Sequence, residues 1–426
     1  MAANEYYEEG MICMQIGDLD NALVCFQKSI EAYPDDVYSY NKLAFIYNEM
    51  QKFEEAVKVL QKAIAVGGSD LFSHYLLGNT YLDNGSYHLA IEEFKKAVQI
   101  NNRDVYSWNS LALAYKLSGE TDLALECLDK AIFIDEKDIY NHNSKAIILF
   151  QRGELEDAKF VIERALQITP DNHLLMGNLG EIQMREGDLR GARRTFEKIL
   201  RLYPDKAIGH YSLGNLELEE ENLESALIYF QKAEELDPNS WKIKAAMGSI
   251  QFEREDNQAA IKFYEEALRL EPDEPGLLTD LARAQIGENL LLKAHANLLV
   301  AVGLDHAYAY SHYTLGRLYL DQHVYDKASD SLKKAVELDA EDIYAMNALA
   351  DVQRFQGHFR DAVIHYQKSL ELLSTDGHAL YFKAFCHSQL EEDHLARQCL
   401  NLLLEEEDEY WEEDAQALLK KLKKGR

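Results

Sequence analysis

The chain is poor in proline, with six in 426 residues, and in cysteine, with five, and it has no surplus of positive charge. Against 74 Asp and Glu stand only 44 Lys and Arg, a formal net charge of −30. Nucleic acid is therefore excluded as a partner, because binding it needs a basic stripe that displaces counterions. No stretch approaches 18 consecutive apolar residues, so membrane insertion is not expected, and the opening MAANEYYEEG is acidic where a secretory signal needs positive charge. The reading is a cytoplasmic protein. Cys13, Cys25, Cys127, Cys386 and Cys399 form no CxxC or metal spacing and suit reduced, buried positions; pairing of Cys13 with Cys25 is not expected in a reducing compartment. Strand-like alternation is missing as well, while 47% hydrophobic residues are ample for a core.

What is present is a period. Alanine recurs every 34 residues at Ala22, Ala56, Ala90, Ala124, Ala158, Ala192, Ala226, Ala260, Ala294, Ala328, Ala362 and Ala396. A second small position runs Gly10, Ala44, Gly78, Ala112, Ala146, Gly180, Gly214, Gly248, Ala282, Gly316, Ala350 and Ala384. Four residues after each recurrent alanine stands a large apolar residue, among them Phe26, Leu60, Phe94, Ile162 and Tyr264. Two antiparallel helices approach closely only where one offers no side chain, and the bulky residue fills the space beside the contact. Five prolines, Pro34, Pro170, Pro204, Pro238 and Pro272, share one phase and stop the second helix of a unit. Turn glycines such as Gly85, Gly119, Gly153, Gly187 and Gly357 separate the two helices.

Trp108, Leu111, Ala112, Tyr115, Ala124, Leu128 and Ala131 in one unit, and His74, Leu77, Gly78, Tyr81, Ala90, Phe94 and Ala97 in the unit before, resemble the tetratricopeptide repeat signature. The resemblance implies an all-α protein, a right-handed α-solenoid superhelix of twelve contiguous 34-residue helix-turn-helix repeats over residues 3–410. Residues 411–426 would follow as a C-terminal capping helix and basic tail, with Trp411, Ala415, Leu418, Leu419 and Leu422 as its apolar stripe.

Gapless phasing leaves no insertion for a catalytic domain, and phosphate-binding loops, dinucleotide turns and nucleophile elbows are absent. Neither an enzyme nor a cofactor is expected. Among the 14 histidines, His378, His387 and His394 lack ligand spacing, and His74, His142, His210 and His312 occupy the repeat's aromatic phase, so no metal is expected. Eight carboxylates between Glu405 and Asp414 read as a solvated junction. Arg190, Arg193, Arg194, Lys198 and Arg201 load one helix with positive charge, either as a docking patch for an acidic segment or as ordinary surface pairs.

In the family that the chain resembles, first helices line a concave groove through the second, fifth, ninth and twelfth phases of each repeat. Four repeats share a D[VI]YxxN phrase that puts Tyr38 and Asn41, Tyr106 and Asn109, Tyr140 and Asn143, and Tyr344 and Asn347 at inward phases. Tyr75, Asn79, Tyr211, Asn215, Tyr310 and Tyr313, with Phe72 and Tyr381, extend the set. Amides can pair with a peptide backbone and tyrosines give contact area at low entropy cost, so this set reads as a peptide-binding surface; packing between repeats is the alternative. The carboxylate clamp known in the family is not carried over, nor is the asparagine ladder of its sugar-transferase members, whose phase holds only Asn178. The expected function is a non-catalytic protein-protein interaction scaffold holding an extended or helical segment of one or more partner proteins. The alternative is a regulatory subunit of an enzyme complex whose groove binds a small molecule or glycan, which a closed pocket would favour.

Two local features stand out. Arg283 and Arg317 share an inward phase, with Arg354 one unit later, and could dock an acidic segment or pair with Asp280, Asp321 or Asp351. In the ninth repeat, which opens with Pro275 and Gly276, the phases that hold Gln258, Lys262, Glu265 and Glu266 one repeat earlier become Leu292, Ala296, Leu299 and Val300. This is either a homodimer interface or a face buried by altered stacking.

Overall fold

The structure, a computed structural model, describes residues 5–67, 70–405 and 410–424, with side chains to residue 422. Every regular element among these residues is an α-helix. The helices fall into two compact units, Met1–Pro204 and Asp205–Arg426.

The first unit holds six helix pairs: α1 (Glu5–Gln15) and α2 (Leu19–Ala32), α3 (Val37–Glu49) and α4 (Phe53–Gly67), α5 (Leu71–Asp83) and α6 (Tyr87–Ile100). After these come α7 (Val105–Leu117) and α8 (Thr121–Ile134), α9 (Ile139–Gln151) and α10 (Leu155–Ile168), α11 (His173–Arg185) and α12 (Leu189–Leu202). The second unit has α13 (Ala207–Glu219) and α14 (Leu223–Leu236), α15 (Trp241–Glu253) and α16 (Asn257–Leu270), α17 (Pro275–Gly287) and α18 (Leu291–Leu304). It continues with α19 (Ala309–Asp321) and α20 (Tyr325–Leu338), α21 (Ile343–Phe355) and α22 (Phe359–Leu372), α23 (Gly377–Gln389) and α24 (Asp393–Glu405), and closes with α25 (Glu412–Lys424). From Val37 on, first helices start every 34 residues as far as Gly377, and second helices do so from Leu19 to Asp393. The phase read from alanine is thus the phase of the helices.

Three local devices set these boundaries. Aspartates at the head of first helices cap them: Asp70 accepts from the Ser73 amide at 2.8 Å and Asp104 from the Ser107 amide at 2.9 Å. The turn inside each pair passes through one left-handed residue, a glycine in six pairs and Gln51, Glu221, Glu255, Asn289, His323 or Glu391 in the others. Each of the five in-phase prolines stands two residues past a second helix, while Pro275 is the first residue of α17, where its missing N–H costs nothing.

Within a pair the recurrent alanines are fully buried, and so is the large residue that follows. The small partner on the first helix is matched to it. Glycine faces Phe or Tyr in five pairs, and a Cβ on Gly78 or Gly214 would lie 2.6 or 2.7 Å from the ring of Phe94 or Phe230. Alanine faces Leu or Ile in five others, such as Ala44 with Leu60. The exceptions are Gly316 with Leu332, which a Cβ would meet at 2.6 Å, and Ala350 with Tyr366, whose ring stacks on Phe382 and whose hydroxyl donates to Asp351 at 2.6 Å.

Within each unit most neighbouring first helices touch directly, as α3 does α5 and α17 does α19, whereas packing between consecutive second helices is marginal at most. The first helices therefore crowd on the tighter side of each unit. At the end of the second unit Trp411 stacks on Tyr381 at 4.9 Å, and Ala415 and Leu422 of α25 bury against Leu380, Ala384 and Leu400, covering the last pair.

Candidate functional site

On the first-helix side, Tyr38, Tyr106, Tyr140 and Tyr344, each the second residue of its helix, are 66–74% exposed. In the first unit Phe72 and Leu174 continue the row at the same phase, giving five consecutive exposed apolar residues on α3, α5, α7, α9 and α11. Phe45 and Leu113, at the ninth phase, are exposed beside it. Leu174 and Leu113 lie outside the Tyr, Asn and Phe pattern of the sequence but share its inward phases as large apolar residues. A cavity of about 150 Å³ opens between α7 and α9, lined by Asn109, Leu113, Lys116, Ser144 and Ile147.

The asparagines behave differently. Asn41 is buried; it accepts from the Ser73 hydroxyl at 2.9 Å and donates to Asp70, the cap of the next first helix, at 3.4 Å. Asn347 repeats the donating half of this one unit from the end, giving a hydrogen bond to the cap Asp376 at 2.5 Å. Asn109 donates to Asn141 at 2.5 Å, and Asn143 accepts from Asn178. The D[VI]YxxN phrase thus divides: Asp104, Asp138 and Asp342 cap their helices through first-turn amides while Asp36 accepts from the Ser39 hydroxyl, Asn ties the helix to the next repeat, and Tyr is left facing solvent. Tyr75 and Tyr211 are half-buried over Phe94 and Phe230, at 6.0 and 5.8 Å between ring centres, and Asn79 and Asn215 are half-buried at the ninth phase.

Two of the three arginines pair with the carboxylate three residues before them. Arg354, 12% exposed, is held between Phe355 and Phe382 at 4.2 and 4.1 Å and donates to Asp351 at 2.9 Å. Asp351 also accepts from Tyr366 and from His378; burial pushes its carboxyl up, but these hydrogen bonds prevail and hold it below the usual range. Arg283 lies over Phe252 at 4.5 Å and Tyr310 at 5.5 Å, with Asp280 at 3.7 Å. Burial pushes the Asp280 carboxyl up to about 6 despite that guanidinium. Arg317 is exposed, one helical turn beyond Tyr313, which stacks on Tyr310 at 6.2 Å. Arg283 and Arg317 are hence the accessible pair, and Arg354 is spent inside the stack.

On the opposite side of the second unit, the stripe of α18 is open to solvent: Leu292 is 89% exposed, and Ala296, Leu299, Val300 and Gly303 are exposed with it. Stacking around Pro275 does not bury it. The second-helix side of the first unit carries two further exposed phenylalanines that the repeat pattern did not single out, Phe133 and Phe160. Phe133 borders a broad depression with Trp108, over whose ring the Lys130 ammonium sits at 4.5 Å. Of the basic residues of α12, Lys198 meets Asp171 at 3.1 Å. His74 bonds Glu93 at 2.6 Å, and His142 and His312 bond backbone carbonyls. The acidic run from Glu405 to Asp414 lies in part, at residues 406–409, outside the described residues.

Models of the tetratricopeptide repeat match residues 3–36, 25–58, 78–119, 105–138, 178–240, 242–274 and 309–342, together more than half of the chain. A solved structure described as "Crystal structure of APC/C hetero-tetramer Cut9-Hcn1" aligns with a TM-score of 0.55 at 14% identity, covering 99% of this chain and 96% of that one. No curated protein matches by sequence. The helix pairs, their common period, the small-to-large contacts within them and the matching family models agree: the chain belongs to the tetratricopeptide repeat family.

Proposed function

We propose that the chain is a non-catalytic scaffold that holds an extended segment of a partner protein along the first-helix side of residues 37–185. The observation that carries this is the unbroken row Tyr38, Phe72, Tyr106, Tyr140 and Leu174, exposed while the asparagines beside it are spent on the fold. Exposed apolar residues in series usually mark an interface, and rigid aromatic side chains are the common anchors of one. The cavity of about 150 Å³ between α7 and α9 suits a single side chain of a bound polypeptide. With a net charge of −30, basic flanks on that segment would speed its capture. Arg283 and Arg317 offer a separate, anion-seeking contact in the second unit. Five unpaired thiols accord with a reducing, cytoplasmic setting.

Peptide-display selection on the full chain, followed by affinity measurement on a Tyr106→Ala, Tyr140→Ala variant, tests this. The expected loss is tenfold or more with helix content unchanged. Selected peptides that bind the variant as tightly as the wild type would move the function to another surface. The exposed face of α18 is read as a second protein contact.

A further inference from the structure

We propose that the apolar face of α18 is covered by a second copy of this chain, the two α18 helices crossing antiparallel about a two-fold axis. This rests on reading that face as a protein contact and is independent of the first-helix row. Charge is the first reason for a second copy. Two bodies of net charge −30 repel, yet α18 contains no carboxylate and one charged residue, Lys293. At the phases of Ala296, Leu299 and Val300 the repeat before carries Lys262, Glu265 and Glu266 and the repeat after carries Asp330, Lys333 and Lys334.

The second reason is the order of side chains along the stripe. Leu292, Ala296, Leu299 and Gly303 alternate large and small at intervals of four, three and four, the spacing of a seam between two helices. A two-fold axis midway between Ala296 and Leu299 sets Leu299 against Ala296 of the other copy and Leu292 against its Gly303. Apart from the adjacent backbone of α18 itself, nothing lies within 4 Å of where a Cβ on Gly303 would stand, so the space for that leucine is open. Small meeting large across antiparallel helices is the same device that closes every pair inside the fold.

The third reason lies on the flanks. At the phases of Ala296 and Leu299, α16 carries Lys262 and Glu265 and α20 carries Asp330 and Lys333, all four exposed and in no ion pair among the described residues. The same axis brings Lys262 to Glu265 of the second copy, and Asp330 to its Lys333, each contact occurring twice. Both flanks are self-complementary, which a surface built for an unrelated partner has no reason to be.

Sedimentation equilibrium of the full chain tests this, with helix content followed by circular dichroism. Wild type is expected to sediment at twice the monomer mass, and Leu292→Glu with Leu299→Glu at the monomer mass. Glu265→Lys sets Lys against Lys262 at two equivalent points and should weaken the dimer about tenfold. Adding Lys262→Glu restores opposite charges only in the antiparallel arrangement and should recover wild-type affinity; in a parallel one it would oppose Asp330 and Lys333 and weaken the dimer further. A wild type that stays monomeric at its highest attainable concentration, a dimer indifferent to the leucine changes, or a double charge swap no better than the single one overturns the proposal. None of these results bears on the tyrosine row, whose own test uses other residues.

Discussion

At the scale of single residues, contacts separate side chains that the sequence presents alike. Asn41 and Tyr38 stand three apart in one phrase, but the partners of Asn41 are Asp70 and Ser73 of the next repeat, and only the stacked helices bring them together. Their phases were legible; their occupation was not, because it depends on which cap stands in the next repeat. The same holds for Arg283 and Arg354, identical by type and nearly by phase. Arg354 meets an Asp351 that three donors stabilise as an anion, whereas Arg283 meets an Asp280 whose carboxyl is pushed up to about 6 by burial. That shift has a sign. Unfolded, Asp280 ionises near pH 4, so between pH 4 and pH 6 the unfolded chain gives up its proton first and stability falls as pH rises; below that window neither state bears the cost, and above it the loss is complete. Asp280→Asn should therefore match wild type in thermal melting at pH 4 and exceed it at pH 7.5. A wild-type advantage at pH 7.5 would show that the Arg283 contact outweighs the burial of the charge.

At the scale of helices, the boundaries could be read from caps, turn residues and prolines, and the 34-residue spacing of helix starts follows them. The turns show what the period hides. All of them take a left-handed residue at one phase, but only half use glycine, and Glu255, with φ of 61°, adopts a conformation that side chains with a Cβ avoid. Glu255→Gly should raise stability to chemical denaturation by roughly 0.5–1 kcal/mol if relief of strain exceeds the added freedom of the unfolded chain. Equal or lower stability would show that the Glu255 side chain already offsets the strain. The converse surprise is α18. Its apolar stripe was visible as a break in the charge pattern, but whether it faced solvent or a neighbour turned on how repeats stack around Pro275, which no local rule decides.

At the scale of the molecule, the family and the helical architecture were legible because one period runs through the chain without a skipped residue. Net charge, by contrast, names no partner. Because helices pack mainly on their neighbours in sequence, one whole period can be removed in phase. Deleting residues 139–172 should leave α8 feeding into α11 at the register it would have met at α9, with the fraction of helix unchanged by circular dichroism and a modest loss of stability. Collapse of the helical signal would mean that distant repeats support one another.

Such nearest-neighbour packing also governs how the molecule comes apart. In a globular core every side chain shares its surroundings with residues from all over the sequence, and the whole melts at once. Here the large residue of each pair sits against its own small partner, so each pair carries its own cohesion and lends little beyond the next. Loss of order can then begin at one weak pair and spread by steps, leaving stretches on either side intact. A scaffold made this way can yield locally where a partner pulls on it and re-form when released, without ever passing through a fully unfolded chain.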